Sequence, residues 1–240
     1  PTWLAPFVEV FRRVEMAWLG QGPPVKVCVA VPTQHGKSTV ASHGLAWLMG
    51  RHPERTHMYL SYGQELAEDK SEDARHLALE AGRTVGRNTR ALWKLPQGGQ
   101  VLAKGVGGGI TGFSADGLVL GDDLLRDSAA AASRAIRDKT WRWWNREVTT
   151  RRGNDTSFVI VASRYHPDDP TGRAIREQGF EYINLPAINP DGTALCPERR
   201  SLEVLLEMKR NDARGFAALQ MGNPVPEGGA VFELGATCTM

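Results

Sequence analysis

Residues 25–38, VKVCVAVPTQHGKS, constrain the fold more than any other stretch. VKVCVAV is short, apolar and β-branched, the composition of a strand buried on both faces. The run breaks at Pro32, and residues 36–49 read as a helix stopped by Gly50 and Pro53. A strand that turns through Gly36-Lys37-Ser38 straight into a helix leaves the first helical amides free to hold an anion, and the helix dipole favours negative charge there. The three residues alone recur by chance, and an ordinary glycine-initiated turn stays open as a reading. The flanking strand and helix favour a phosphate-binding loop.

The same alternation continues along the chain. Residues 56–61 suit a strand, and 64–81 suit a helix in which Ala67, Ala74, Leu77, Ala78 and Ala81 share one face. The signal weakens over 82–112, which is glycine-rich from 105 onward. Residues 118–121 then read as a strand, 129–150 as one long helix, 157–162 as a strand, 170–178 as a short helix and 182–185 as a last strand. Ahead of the loop, Phe7, Val10, Phe11, Val14, Ala17 and Trp18 form one apolar helical face. Helices alternating with strands that are apolar throughout define an α/β domain around a mainly parallel sheet. Past Pro186 the character changes: 201–220 reads as two short helices, followed by Pro224, Pro226 and a glycine pair. The expected organisation is an α/β core over 1–186, a small helical subdomain over 187–232 and a tail over 233–240.

Composition narrows the partners. Twenty-nine Lys and Arg against 27 Asp and Glu leave a net charge of +2 in 240 residues. That excludes histone-like binding through bulk charge, so any nucleic-acid contact must come from a local cluster such as residues 142–152. Cys28, Cys196 and Cys238 are far apart and form no CxxC pair, which argues against a disulfide framework or a structural zinc and fits a reducing compartment. No apolar run approaches the roughly 20 residues that a membrane-spanning helix needs.

A second motif decides what the loop is for. The strand 118–121 finishes in Asp122 and Asp123. Hydrolysis of a bound nucleoside triphosphate needs one carboxylate at such a strand end for Mg²⁺ and a second to orient or deprotonate water. Asp122 takes the metal role together with the Ser38 hydroxyl, and Asp123 takes the water role. The alternative is a turn whose acids cap the next helix. Gln34, His35, Gly36, Lys37, Ser38 and Thr39 are the candidate nucleotide contacts, with Lys37 bridging the β- and γ-phosphates. Between the two motifs there is room for one βα unit. That spacing predicts the two key strands side by side with the 56–61 strand beyond, and it indicates the additional-strand branch of P-loop NTPases.

With these residues in hand, the chain resembles the ATPase domain of the large terminase subunit of tailed bacteriophages, the motor that packages viral DNA into capsids. VPTQHGKS, SYGQELAEDKSEDARHL, GVGGGITGFSADGLVLGDD and SRYHPDDPTG carry the resemblance, in that order, over roughly residues 25–232. It implies a RecA-like fold with a helical lid and Mg²⁺-dependent ATP hydrolysis. Lys37 and Ser38 would then contact nucleotide and metal, Asp122 would hold Mg²⁺, Asp123 would be the catalytic carboxylate, and Ser163 would fall on the coupling motif that senses the γ-phosphate. The implied partners are double-stranded DNA, the portal protein, the small terminase subunit and further copies in a pentameric ring, with no membrane. The implied location is the host cell cytoplasm, at the procapsid portal. Two departures matter. Val31 stands where the loop pattern has Gly or Ala, and residues 32–35 lack the Arg of some terminases. An arginine finger must therefore come from elsewhere or from a neighbouring subunit, with Arg126, Arg134, Arg151 and Arg152 as candidates. The family's RNase H-like nuclease would follow the helical subdomain. The sequence runs from Pro1 to Met240 without a later acidic cluster, so it reads as a fragment that is not expected to cut DNA.

Several features keep two readings. Arg164, just past the 157–162 strand, either reads the γ-phosphate or pairs with Asp168, and His166 either joins the site or belongs to a turn. Trp141, Trp144 and Val148 share a helical face against the sheet, while Trp143 is expected to point elsewhere, near Arg142 and Arg146. Arg151 and Arg152 either touch a DNA backbone or sit in a solvated turn. The glycines of 105–112 belong to a hairpin or loop near the nucleotide, or to plain turns. Two other functions fit the motifs: a helicase-like or remodelling ATPase, and a nucleotide-binding module with little hydrolysis.

Overall fold

Alternation along strand β1 (Lys26–Ala30) sorts the core into two layers. Val27, Val29 and Val31 face one side of the sheet and Cys28 the other. The same parity separates Leu118 and Leu120 from Val119, and Val159 and Val161 from Phe158 and Ile160. Buried on both faces, these strands need helices on both sides. The computed structural model describes residues 2–82, 86 and 89–225.

On the first side lie α1 (Ala5–Trp18), α2 (Lys37–Arg51) and α3 (Gln64–Glu80). The apolar face expected of α1 is there, with Phe7, Val10, Phe11 and Val14 buried. Gly44 of α2 leaves room for the Phe11 ring, which a Cβ would overlap. On the second side lie α4 (Ser128–Ala132), α5 (Arg134–Trp143) and α6 (Pro170–Gln178).

The sheet has seven strands in the order β3-β4-β2-β5-β6-β1-β7. The strands are β2 (Thr56–Ser61), β3 (Leu92–Lys94), β4 (Gln100–Gly105), β5 (Leu118–Asp122), β6 (Ser157–Ala162) and β7 (Glu181–Asn184), besides β1. All neighbours run parallel except β3 and β4. One expectation is overturned here. The loop strand β1 and the acidic strand β5 are not adjacent, because β6 lies between them and pairs with both. Sequence order hid this, since β6 follows both motifs in the chain. Residues 82–112, weak in the sequence, supply β3 and β4. Val101, Leu102 and Ala103 are buried, and Trp93 is buried with its indole N–H on Ser71 Oγ at 2.9 Å.

The long helix expected over 129–150 is broken. Ser133 is extended (φ −74°, ψ 109°) and caps α5 by accepting from the Ile136 amide, so α4 and α5 are separate. After Trp143 the chain widens into a π-type turn over Trp144–Val148. Trp143, expected to point away, is also buried, because the glycine-rich loop covers it and Gly108 O accepts from its indole at 3.0 Å.

Beyond β7, helices α7 (Leu202–Asn211) and α8 (Ala213–Leu219) enclose a small core of Ala187, Ala194, Leu205 and Phe216. The parts of the expected helical subdomain and tail over 226–240, with Pro226, the glycine pair and Cys238, lie outside the described residues. No described helix is long and apolar enough to cross a membrane.

Candidate nucleotide site

The carboxyl ends of β1, β6 and β5 converge on one spot, which is where ligands sit on open α/β sheets. Val31 does not begin the loop. It is buried, and its amide donates to Ala162 O at 3.3 Å, so it prolongs β1 beside β6. The turn proper ends at Gly36, whose φ of 77° is a left-handed conformation suited to glycine. No side chain caps the start of α2, which leaves its leading amides to a ligand.

Among the described residues, two that are not glycine have positive φ: Gln34 at 63° and Asp123 at 44°. Such conformations cost of order 1–3 kcal/mol each and persist where the surroundings impose them. Gln34 lies in the loop that leads to Lys37, and Asp123 pairs with that lysine.

Lys37 Nζ lies 2.9 Å from Asp123 Oδ2. The other oxygen of Asp123 accepts from the Ser163 amide at 3.0 Å. The Asp123 backbone is fixed on both sides, its amide donating to Val161 O and its carbonyl accepting from the Tyr62 amide. Burial alone would lower the Lys37 ammonium. The Asp123 carboxylate more than offsets this, with Asp122 and Tyr165 adding, so the net shift is upward.

Asp122 is buried at the end of β5. Its Oδ2 accepts from the Tyr59 hydroxyl at 2.8 Å, while its Oδ1 meets no protein donor. Burial first, and the Asp123 charge second, push its carboxyl up to about 6 against the opposing Ser38 and Tyr59 hydroxyls and Lys37. The hydroxyls of Ser163 and Ser61 are also buried without partners. Buried polar atoms left unpaired in one place point to a ligand or ordered water.

The remaining expected residues are near by. His35 is buried with Nδ1 3.0 Å from Thr33 O and its ring edge-on to Trp3. Its imidazole is pushed down by burial and then by Arg200 and Arg199, against the raising bond to Thr33. Thr39 opens onto an apolar groove of about 490 Å³ between α1 and α2, beside Phe11, Val40, His43 and Trp47. Ser163 borders a cleft with Asp123, Tyr165, Asp169 and Thr171.

Arg164 pairs with Asp169, not with Asp168. Its Nε lies 2.9 Å from Asp169 Oδ2 and both side chains are buried. Burial would lower this guanidinium and Asp169 outweighs it, so the net shift is upward. Asp169 also caps α6, accepting from the Gly172 amide. Asp168 faces outward to Arg173, Arg137 and Arg176, and the Arg173 bond foremost holds it down at about 2. The sequence offered two acids in a row, and the helix cap decided which one turned inward. Of the finger candidates, Arg126 pairs with Asp127, Arg134 with Asp138 and Arg151 with Glu147. Arg152 lines a cavity of about 710 Å³ with Lys26, Glu177 and Gln178. That cavity lies at the opposite, amino-terminal edge of the sheet and contains none of the loop residues.

Sequence reasoning missed Tyr59, Arg199, Arg200 and Gln220. A tyrosine in a strand buried over Met58–Leu60 was the available signal for the first, since a buried hydroxyl needs a partner. The others reach the loop from far along the chain, and no local pattern announces that.

A Mg²⁺ ion fits this chemistry. The ion usually takes one or two protein oxygens and fills its other positions with water and phosphate. Asp122 Oδ1 and the Ser38 hydroxyl supply that set, and no group of three or more His, Cys, Asp or Glu side chains suited to another metal occurs among the described residues.

The family profile described as terminase large subunit, T4likevirus-type, N-terminal, matches residues 28–236. The chain belongs to the terminase large-subunit family. The large terminase of bacteriophage HK97 is similar in fold, with a TM-score of 0.57 at 12% identity over 89% of this chain and 50% of that one. So is the large terminase of a thermophilic bacteriophage, with a TM-score of 0.58 at 11% identity over 90% and 53%. This terminase chain spans about half the length of those proteins. No curated protein sequence matches it. The likeness shows that the mostly parallel sheet flanked by helices is the fold of those large terminases.

Proposed function

We propose that the chain hydrolyses ATP with Mg²⁺ and uses the energy to move double-stranded viral DNA into a capsid. The observation that carries this is the Lys37–Asp123 contact at 2.9 Å, beside an Asp122 oxygen that no protein group satisfies. A phosphate-loop lysine and two consecutive acids thus meet from strands that β6 separates.

The loop amides and the start of α2 hold the triphosphate, and Gln34, His35, Gly36, Lys37, Ser38 and Thr39 surround it. Asp122 and Ser38 would hold Mg²⁺, which would supply positive charge to neutralise the phosphates. A polyphosphate competes with Asp123 for the Lys37 ammonium. Asp123, released but still fixed by the Ser163 amide, then orients the attacking water and takes its proton. Ser163 links the γ-phosphate to β6, and Arg164 acts as a positioning residue through the Asp169 loop. Family membership supports the larger setting: 1–186 as ATPase core and 187–232 as lid, a pentameric ring, the portal protein and small terminase subunit as partners, and the host cytoplasm at the procapsid portal as location.

The test is phosphate release from ATP and Mg²⁺ at high protein concentration, with and without DNA and portal. Turnover that Lys37→Ala and Asp122→Ala each abolish supports the reading. ATP binding without phosphate release under all these conditions would leave a nucleotide-binding module instead.

A further inference from the structure

Arg200 precedes α7, on the far side of β7 from the phosphate loop in sequence, yet its guanidinium rests on that loop. Nη2 donates to Gln34 Oε1 at 3.1 Å, and Nη1 donates to Gln220 Oε1 at 2.9 Å and to Thr33 Oγ1 at 3.5 Å. Gln220, itself buried, donates from Nε2 to the same Thr33 hydroxyl at 2.8 Å. Arg199 reaches the Gln34 carbonyl at 3.5 Å. Residues from both ends of the α7–α8 segment therefore clasp two adjacent loop residues. One of these is Gln34, held in a left-handed conformation.

The partners are what make this clasp informative. Every acceptor is neutral: an amide oxygen, a hydroxyl or a backbone carbonyl. Among the described residues neither Arg199 nor Arg200 forms an ion pair with a carboxylate, although the chain pairs most of its other arginines. Two positive charges beside an anion-binding loop are thus held by groups that a phosphate oxygen outcompetes. Charge-assisted bonds are roughly twice as strong as neutral ones, and a planar guanidinium suits phosphate in two-pronged contact. Gln220 O also accepts from the Ala187 amide at 2.7 Å, so movement at Arg200 is transmitted to the root of the helical segment.

We propose that Arg200 is a triphosphate-sensing latch: it exchanges Gln34 and Thr33 for phosphate oxygens of the bound nucleotide, adds a second cation beside Lys37 from the same chain, and draws the 187–225 segment onto the loop. This rests on the ATPase reading above. It adds a residue and a direction of coupling to that reading.

The test uses the whole chain with a fluorescent, non-hydrolysable ATP analogue, its ADP counterpart and Mg²⁺. Arg200→Gln removes the charge and leaves a shorter polar side chain, and Arg200→Lys keeps the charge without the fork. Arg200→Gln should melt like wild type yet bind the ATP analogue about tenfold or more weakly, with a smaller loss for ADP. Arg200→Lys should recover part of the affinity. In wild type the ATP analogue should slow amide exchange across 187–225, and Arg200→Gln should lose that response. A purely structural clasp predicts otherwise: a folded Arg200→Gln protein with ATP affinity within twofold of wild type and intact exchange protection overturns the latch alone. A wild-type chain that binds no ATP overturns both the latch and the function it rests on.

Discussion

Tyr59 donates its hydroxyl hydrogen to Asp122 Oδ2 at 2.8 Å, and Asp122 Oδ1 is left without a protein donor. The carboxylate is thereby divided between two duties. One oxygen is fixed by a neighbouring strand, since β2 pairs with β5 directly. The other is buried at the carboxyl end of β5 with no partner in the protein. One tethered oxygen and one free one leave this carboxylate able to take a further partner through Oδ1 without losing its bond to Tyr59.

Removing that tether gives the first prediction. A hydrogen bond to a charged group contributes about 1.5–3 kcal/mol, equivalent to roughly one to two pKa units. Tyr59→Phe should raise the Asp122 carboxyl further above its present value of about 6. Activity that requires ionised Asp122 falls as pH drops through that value, so the acid limb of the kcat/KM profile should move to higher pH in the variant. An unmoved limb would mean that Asp122 does not control it.

The second prediction concerns stability. The folded chain holds the Asp122 proton more tightly than an unfolded chain, where a carboxyl of this type titrates near 3.8. The native state therefore binds more protons between about pH 4 and 6, and stability declines as pH rises through that window. Asp122→Asn removes the buried charge while keeping its shape. Measured without Mg²⁺, it should melt above wild type at pH 7.5, with the difference closing as pH falls toward 4, and it should be inactive. A variant that melts lower at pH 7.5 would show that the charge is not a burden to the fold.

These two acids also show how far the sequence could be read. Gly36-Lys37-Ser38 and Asp122-Asp123 were legible because each follows an apolar strand, and strand ends on one edge must meet. Their meeting therefore followed from local pattern. The order of strands did not, because β6 enters between β5 and β1 from later in the chain. Strands β3 and β4 escaped notice because three buried residues between glycines carry little periodicity. Trp143 was misjudged because the glycine-rich loop, whose Gly108 O accepts from its indole, covers a helix face that no local pattern shows to be covered. The Arg200 clasp joins positions 167 and 166 residues apart in sequence and had no local signature.

The third prediction separates the members of the Lys37–Asp123 pair. If the ammonium serves the phosphates and the carboxylate serves water, the two side chains should fail differently. Lys37→Ala should lose ATP affinity and lower kcat/KM by at least about 100-fold. Asp123→Asn should keep ATP affinity within a few-fold while kcat falls by roughly 10²–10⁴. Equilibrium binding with single-turnover hydrolysis distinguishes them. Equal loss of binding in both variants would reduce the pair to a structural ion pair.

The fourth prediction concerns the glycine-rich loop. Gly105 closes β4 against the start of α3, and its amide donates to Gln64 Oε1 at 3.0 Å. A Cβ at Gly105 would overlap the backbone of Gly63 and Gln64, which has no flexible end to move aside. Four residues on, Gly109 has open space around it and no left-handed φ. Gly105→Ala should therefore cost about 1–3 kcal/mol in denaturant titrations, as overpacking does. Gly109→Ala should stay within about 0.5 kcal/mol of wild type. Because Gly108 O accepts from the Trp143 indole, loosening β4 should also expose that ring. Tryptophan fluorescence of Gly105→Ala should then shift to longer wavelength before the global transition. If both alanine variants were equally stable, the close approach of β4 to α3 would not be what the glycine at 105 serves.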